Sequence, residues 1–346
     1  ELKKLDWQTP VAGFAPQFEL ANKGKKTLVL QHIIGQSSGY TPNAYDNLIE
    51  ANYPVKRVLN MLADLKPLCN PGDCYTYQNT IFAALEEYFA KTNSSYGEAL
   101  NKAIIQPLNM PYASVGKAGL LASKNWARPH VAISNSSWRK TSVRDDYYRY
   151  SPAAGVNASI KDMIVWMRAL LGESPNVISS KLVNQVTTPL TKSKKELYRR
   201  QWRKQLSDAH YGLGWRIYQF AGETLNYHGG WVKGYRADVA FAPDWGVAYV
   251  MLMNAESNLI NEFTPDFWRR FFEQAKKQNT EAALNNFIAQ HPWFKRMEEA
   301  KKFRNRVAFT AANQQNTWEA YQAFFLNYPE AKQSAEARHN FFSPTS

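Results

Sequence analysis

The sequence predicts an α+β fold in which an antiparallel sheet lies against helices, because the apolar residues change their period along the chain. Between residues 53 and 171 they recur at helical spacing, whereas after residue 210 they alternate as in strands. From residue 279 the composition shifts to Ala, Gln, Asn, Lys and Glu with periodic aromatic residues. We therefore expect one domain over residues 1–278 and a helical appendage over residues 279–346.

Helical spacing comes first in the chain. The predicted helices cover residues 53–65, 79–91, 96–105 and 157–171, after a short apolar element of strand length at 27–34. In the last helix Ser159 can cap the amino terminus, with Asp162 three positions later as in a capping box. The side chains expected to face inward there are Ile160, Met163, Ile164, Met167 and Leu170.

Strand spacing follows. The predicted strands cover residues 211–220, 224–228, 237–241 and 247–253. They are joined at Gly222-Glu223, at a Gly-rich turn after His228, and at Pro243-Asp244-Trp245-Gly246, which is a hairpin signal. A helix over 264–277 closes the domain, and the appendage includes helices at 316–328 and 334–341.

Composition excludes several classes of protein. The 11 Trp, 19 Tyr and 18 Phe exclude intrinsic disorder, and 17 Gly with 2 Cys exclude collagen and disulfide scaffolds. The sequence has no apolar stretch near the roughly 18 residues of a membrane span. We expect no metal and no cofactor, because the two cysteines have no further ligands near them.

The net charge of +13 raises the question of a nucleic-acid partner. Lys and Arg are concentrated at residues 192–204 and 295–306, as on solvated helix faces. Tyr198 and Trp202 in the first run would suit a stacking surface, but no nucleic-acid-binding motif accompanies them. We expect no nucleic-acid partner, and a surface charge that favours anionic envelopes or polymers.

Cys69 and Cys74 flank the turn sequence Asn70-Pro71-Gly72-Asp73. Such a turn can bring their Cα atoms within disulfide range. A local disulfide in an oxidising compartment is slightly favoured over two free thiols, and the spacing leaves both open.

Three short polar stretches carry residue types suited to acyl transfer. Residues 71–79 form a turn that leads to Tyr77 and Asn79 at a helix start, and Ser37-Ser38-Gly39 forms a polar turn. The third, His228-Gly229-Gly230-Trp231, ends a predicted strand, and its two glycines let another group approach the backbone. Each stretch alone is also typical of an ordinary turn or helix cap.

In this order the stretches resemble the serine β-lactamase and penicillin-binding-protein superfamily, in particular its class C-like branch of esterases and peptidases. Residues 31–40 resemble its "HLLTHTSGL" stretch, with Gln36 in place of the second His. Residues 71–79 match "PG-x-x-F-x-Y-S-N", and His228-Gly229-Gly230 replaces the Lys/His-x-Gly strand motif. Further similar stretches are residues 5–18, 105–110, 154–163, 211–215 and 243–254. The resemblance implies a β-lactamase-like fold.

The resemblance also assigns roles to residues. Acyl transfer through serine requires a base, donors for the oxyanion and a group that orients the substrate. By resemblance Tyr77 is the general base or acid, activated by neighbouring positive charge, and Asn79 binds the substrate amide and the nucleophile's partner lysine. His228 stands beside Tyr77. Gly229, Gly230 and Trp231 bind substrate, with the Trp231 backbone N–H as an oxyanion donor.

The decisive departure from this family concerns the nucleophile. The family's nucleophile lies in a Ser-x-x-Lys at a helix start, ahead of the segment that Leu5 begins, and that motif is absent from this sequence. Two other Ser-x-x-Lys strings, at 114–117 and 137–140, follow the Tyr77 motif and do not start a convincing apolar helix. We therefore expect the amino-terminal part of the domain, with the nucleophile, to lie outside this chain.

Two functions follow from these observations. The first is a serine hydrolase that acts on a β-lactam, a D-amino-acid peptide or an ester, and His228 in place of Lys favours the peptidases and esterases. The second is a non-catalytic protein that uses the pocket and the carboxy-terminal helices to dock a partner or cell-wall peptidoglycan. The resemblance and the cysteine pair imply a periplasmic or secreted location.

Overall fold

The computed structural model describes residues 5–18, 20, 27–277, 280–290 and 297–342. Contacts divide the chain into two units, Glu1–Asp266 and Phe267–Ser346. The domain boundary that the sequence suggests at residue 278 stays a prediction.

The first unit is built around an antiparallel sheet. The strands of the described residues are β1 Ser114–Val115, β2 His130–Ser134, β3 Ser137–Lys140, β4 Val156–Asn157, β5 Thr191–Lys192, β6 Leu206–Tyr211, β7 Arg216–Phe220, β8 Glu223–Val232, β9 Tyr235–Ala242 and β10 Val247–Met253. The main sheet has the order β10-β9-β8-β7-β6-β5, while β1 pairs with β4 and β2 with β3. Neighbours in the main sheet are antiparallel, so short turns connect most of its strands.

Helices supply the rest of the fold. In the described part of the chain they are α1 Val11–Phe14, α2 Leu30–Ile34, α3 Asp46–Glu50, α4 Val55–Met61, α5 Ala84–Lys91, α6 Tyr96–Leu100, α7 Gly116–Ala122, α8 Ser151–Ala154, α9 Ile160–Arg168, α10 Ser180–Val186, α11 Ile260–Lys277, α12 Glu281–Gln290, α13 Met297–Gln315, α14 Trp318–Asn327 and α15 Ser334–Phe342. Short 3₁₀ turns extend several of them, such as Leu62–Asp64 after α4 and Thr80–Ala83 before α5. The predicted α+β class is therefore confirmed.

Several predicted elements have different bounds. The expected strand 211–220 is split, because Gly214 takes a φ of 83° and Gly212 N–H donates to the Trp215 carbonyl at 2.8 Å, which closes a turn between β6 and β7. The expected end of a strand at His228 is wrong as well. Strand β8 continues through Gly229 and Gly230, which pair with Asp238 and Ala237 of β9.

One prediction about apolar residues is also wrong, and one apolar segment takes a structure that its length did not decide. The short apolar element at 27–34 contains a helical turn, α2, and a run of this length does not distinguish strand from helix. On α9 the capping box of Ser159 and Asp162 is confirmed. Ile160 and Ile164 are nevertheless 46% and 49% exposed, so the buried stripe of α9 is narrower than its apolar pattern.

Among the described residues, several groups of buried side chains form cores. One joins helices α1 to α5, with members such as Phe14, Ile33 and Ile81. Another lies between α9 and the sheet and includes Met167, Trp215 and Phe241. The second unit has a core of its own, which consists of Ala308, Phe309, Ala312, Tyr321, Phe324, Tyr328, Ala331 and Ala337. Within the described ranges no helix has the length and hydropathy of a membrane crossing.

Candidate active site

The segment that carries Tyr77 is fastened to the polar turn at residues 36–39. Ser37 and Thr76 form a parallel bridge, and the Thr76 hydroxyl accepts a 3.0 Å hydrogen bond from Gly39 N–H. Asn43 N–H donates to the Tyr77 carbonyl at 2.7 Å. The first two polar stretches of the sequence are therefore neighbours in the structure, and together they fix the backbone of Tyr77.

Gln36, which departs from the family's second His, is part of this fastening. Its carbonyl accepts from Thr76 N–H at 2.7 Å, and its side-chain Oε1 accepts from Gln78 N–H at 2.6 Å. The residue is buried and takes a φ of 53°. The backbone carbonyl and the side-chain amide of Gln36 thus bind the chain on either side of Tyr77.

A disulfide closes the turn before Tyr77. Cys69 and Cys74 are bonded, with their Cα atoms 6.3 Å apart, so the favoured pairing is confirmed. Leu68 N–H donates to the Gly39 carbonyl and Gly72 N–H to the Ser37 carbonyl, at 2.7 and 2.8 Å. The disulfide loop is thereby bound to the same polar turn as Tyr77.

The structure places Tyr77 beside His228. Their ring centroids are 6.5 Å apart, and His228 Nε2 lies 3.3 Å from the hydroxyl of Tyr211 on β6. Tyr211 also contacts Tyr77 edge to face, with centroids 6.4 Å apart. A tyrosine from the helical segment and an imidazole from strand β8 therefore meet at one face of the sheet.

Sequence reasoning missed the positive charge next to this pair. The guanidinium of Arg216, at the start of β7, lies 5.4 Å from the Tyr77 ring centroid and 5.8 Å from that of Tyr211. Its Nε is 3.4 Å from Glu196 Oε1. The available signal was an arginine directly after Tyr211-Gly-Leu-Gly-Trp215, in a strand whose neighbouring residues are mainly apolar or aromatic.

The pKa values of Tyr77 and His228 differ from those of free side chains. Burial raises the pKa of Tyr77 above its usual value, although Arg216 opposes this and Asp46 adds to it. Burial, assisted by Arg216, lowers the pKa of His228 to about 3. At neutral pH the imidazole is therefore uncharged and the phenol of Tyr77 is protonated.

Asn79 is held by a carboxylate. Its Nδ2 donates a 3.0 Å hydrogen bond to Asp46 Oδ2 at the start of α3. Burial raises the pKa of Asp46, the bond from Asn79 lowers it and Glu50 raises it. The other oxygen, Asp46 Oδ1, is buried without a hydrogen-bond partner among the described residues.

The glycine motif on β8 ends in an exposed indole. Trp231 is 66% exposed, and the guanidinium of Arg236, its partner on β9, lies 4.8 Å from its ring. Gly230 is exposed and Gly229 half-buried. The side chain of Trp231 is therefore free to contact a bound molecule.

Asn79 and Trp231 line one cavity of about 720 Å³. Its ionisable lining residues are Asp46, Glu50, Asp146, Glu256, Arg144 and Lys233. Arg144 forms an ion pair with Asp146, with Nε 2.9 Å from Oδ2. Carboxylates thus outnumber cations around this cavity, in a chain whose net charge is +13.

Neither Ser-x-x-Lys string has its serine bonded to its lysine. Ser114 Oγ accepts from Asn157 Nδ2 at 3.2 Å, while Lys117 forms a 3.0 Å ion pair with Asp145. Ser137 Oγ lies 2.7 Å from Ser134 Oγ in the β2–β3 hairpin. These contacts are those of structural serines.

The first basic run is not simply a solvated helix face. Trp202 is 1% exposed and Arg199 pairs with Glu196 at 3.2 Å, so only Tyr198, at 79% exposed, fits the stacking surface considered from the sequence. In the second run, residues 295 and 296 lie outside the described residues. Among the described residues no cluster of three or more His, Cys, Asp or Glu is placed to hold a metal ion.

Comparison with known proteins places this geometry in a family. The profile of the family described as Beta-lactamase matches residues 1–266. A D-aminopeptidase of Gluconobacter oxydans (strain 621H) is 25% identical over 187 residues, which cover 53% of this chain and 32% of that protein. An unguisins hydrolase of Aspergillus campestris is 23% identical over 235 residues, 62% of this chain and 43% of that protein. The chain thus matches less than half the length of either relative.

Solved structures share the fold. A penicillin-binding protein homologue from Pyrococcus abyssi superposes with a TM-score of 0.62 at 20% identity, over 73% of this chain and 57% of that chain. A D-stereospecific amidohydrolase from Streptomyces sp. gives 0.60 at 20% identity, over 73% and 75%. A class C beta-lactamase gives 0.57 at 15% identity, over 76% and 74%. At these identities the similarity establishes the fold.

Proposed function

Because this chain belongs to the beta-lactamase family, we propose that it forms part of a serine hydrolase that acts through an acyl-enzyme. The observation that carries the proposal is the meeting of Tyr77 with His228, while Asn79 and Trp231, which lie two and three residues further along the chain, line a cavity. These residues come from two distant stretches of the sequence, and they provide a proton carrier, an amide donor and a wall for substrate. The nucleophile is proposed to lie outside the residues of this chain.

The cavity supports one substrate class above the others. Its excess of carboxylates favours a substrate that carries an amine, because a cation is stabilised near unneutralised carboxylates. A β-lactam or a peptide carboxy terminus presents a carboxylate instead. The similarity to a D-aminopeptidase agrees with an amine-bearing substrate. We therefore favour amides and short peptides of D-amino acids with a free amino group.

The proposed chemistry moves one proton through Tyr77. In the form in which Tyr77 has first released its proton to solvent, the serine oxygen attacks the acyl carbon while the serine proton passes to the phenolate. The same proton then passes to the leaving nitrogen as the C–N bond breaks. Asn79 holds the substrate amide, and the backbone N–H of Trp231 donates to the oxyanion. Water then hydrolyses the ester, and its proton takes the same route in reverse.

Covalent labelling tests this function. A protein that contains this chain together with the preceding Ser-x-x-Lys segment is expected to form an adduct with a fluorophosphonate and to hydrolyse D-alanine p-nitroanilide. The chain of residues 1–346 alone is expected to give neither above background. Absence of an adduct where a family hydrolase labels would contradict the proposal. Retained binding of peptidoglycan fragments in that case would favour the non-catalytic alternative.

A further inference from the structure

The positive charge beneath the candidate site comes from one buried arginine. Arg216 begins β7 and is paired across the sheet with Tyr211 of β6 on one side and with Tyr227 of β8 on the other. Only 14% of its side chain is exposed. The guanidinium is therefore buried beside the sheet, where the surrounding protein screens a charge much less than water does.

Arg216 shares its carboxylate partner, Glu196, with a second arginine. Glu196 accepts from both Arg216, at 3.4 Å, and Arg199, at 3.2 Å, so two guanidinium groups share one carboxylate. Tyr218 also donates to Glu196 Oε2, at 2.5 Å. Burial would raise the pKa of Glu196, but the two arginines outweigh it and keep the carboxylate ionised. Glu196 alone does not neutralise both arginines, and Asp238 is a second carboxylate on which the charge of Arg199 acts.

The charge of Arg216 acts on both Tyr77 and His228, and it favours a phenolate on the first and a neutral imidazole on the second. The Tyr77 ring is 5.4 Å from the guanidinium, and Arg216 Nη1 is buried without a hydrogen-bond partner in the part of the chain that the structure describes. His228, which occupies the place of the family's cationic strand residue, is neutral at physiological pH. The side chain that stays positively charged in this site is consequently Arg216, on β7.

We infer that Arg216 is a positioning residue of the candidate site, which acts through Tyr77 by stabilising a negative charge on its phenolic oxygen. The inference rests on the proposed role of Tyr77 as proton carrier. Ionisation breaks the Tyr77 O–H bond and releases the proton to solvent, and the phenolate then accepts the proton of the nucleophile. Arg216 keeps its own proton throughout, because a guanidinium does not titrate in this range.

The charged and titratable groups that face Arg216 or Tyr77 are Asp46, Tyr75, Glu196, Arg199, Tyr211, Tyr218, Tyr227 and His228. Asp46 is the useful counterpart among them, because its charge acts on Tyr77 with the opposite sign to that of Arg216. Substitution of Arg216 and substitution of Asp46 are therefore expected to shift the pKa of Tyr77 in opposite directions.

The experiment titrates Tyr77 in the full chain by NMR with ¹³Cζ-labelled tyrosine, and Tyr77→Phe assigns the signal. Arg216→Met is expected to raise the ionisation pH of Tyr77 by about one unit or more, Asp46→Asn to lower it, and Arg216→Lys to leave it near the parent value. The pKa of His228, measured in the same Arg216→Met sample between pH 3 and 7, is expected to rise. Circular dichroism at each pH verifies that the chain is folded.

The proposal is overturned if Arg216→Met leaves Tyr77 unchanged, or if Arg216→Met and Asp46→Asn move it in the same direction. If Arg216→Met fails to fold, the Asp46→Asn and Arg216→Lys variants provide the test. A Tyr77 pKa in Arg216→Lys that differs from the parent value by a full unit would contradict the charge effect. The titration needs no turnover. Its failure is therefore distinct from a failure of the hydrolase proposal, which covalent labelling reports.

Discussion

The hydroxyl of Tyr227 donates a 3.0 Å hydrogen bond to Asp238 Oδ1 across Gly229, the first glycine of the β8 motif. A methyl group on Gly229 would lie 2.6 Å from the Tyr227 hydroxyl and 2.8 Å from Asp238 Oδ1. On Gly230 it would meet nothing closer than 3.8 Å. Asp238 Oδ2 also accepts from the buried Thr264 hydroxyl at 2.7 Å. Glycine is thus required at position 229 because a side chain there would collide with the hydrogen-bonded pair Tyr227 and Asp238. This requirement does not depend on substrate binding.

The two glycines are therefore expected to respond differently to alanine. Gly229→Ala should lower the free energy of unfolding by about 1–3 kcal/mol, because it disrupts the bond between Tyr227 and a buried carboxylate. Gly230→Ala should change it by less than about 0.5 kcal/mol. Urea unfolding of both variants measures the difference. Equal losses would show that the contact over Gly229 is not what excludes a side chain.

Tyr77→Phe is expected to abolish most of the turnover in the protein that includes the Ser-x-x-Lys segment. Loss of a positioned proton carrier lowers the rate by roughly 10²- to 10⁴-fold. The thermal midpoint should change little, because the substitution keeps the aromatic ring that lies beside Tyr211 and His228. Tyr96→Phe, at a partly buried tyrosine on α6, is the matched control and should keep its activity. Similar turnover of the two variants would remove Tyr77 from the mechanism.

Stability is expected to fall in mild acid because of His228. Its pKa is about 3 in the folded chain against 6.5 for the free side chain, so only the unfolded chain takes up this proton between those values. The stabilising contribution is complete above about pH 6.5 and is lost as the pH falls towards 3. Between pH 7 and 5 the loss amounts to roughly 2 kcal/mol. Urea unfolding at both pH values should show a smaller loss in His228→Gln, and an identical loss would contradict the shift.

Removal of the disulfide is expected to destabilise the turn that leads to Tyr77. The Cys69–Cys74 bond closes a loop with a sequence separation of 5. The chain-entropy estimate for such a loop is about 2 kcal/mol. Cys69→Ser with Cys74→Ser should lower the free energy of unfolding by this amount, and the parent should show no thiol before reduction. A variant as stable as the parent would mean that the hydrogen bonds of Gly39 and Ser37 suffice.

The fold was largely predictable because its signals are local. Periodicity identified strands β7 to β10 and helices such as α4, α5 and α9, and the capping box at Ser159 fixed the start of α9. Strand ends were less predictable. Two glycines can end a strand or continue it, and here cross-strand pairing with Asp238 and Ala237 decides in favour of continuation. The β2–β3 hairpin, with Ile133 64% exposed, lacks the alternating pattern on which the prediction depended.

The candidate site was predictable only where motifs carry it. Tyr77, Asn79 and His228 follow from local stretches of sequence, and whether they act catalytically stays a prediction. Arg216, Glu196 and Asp46 were not found, because their relation to Tyr77 depends on strand register and on the path of loops. Electrostatic partners of this kind leave no fixed spacing in the sequence.

The acidic lining of the cavity has a consequence for the speed of binding. A cationic substrate approaches a molecule with a net charge of +13 before it reaches Asp46 and Glu50 inside. Dissolved salt screens the repulsion at long range, over a Debye length of about 10 Å at 0.1 M, more strongly than the attraction at contact. Such a substrate should therefore associate faster as ionic strength rises, the reverse of the behaviour expected for an anionic one.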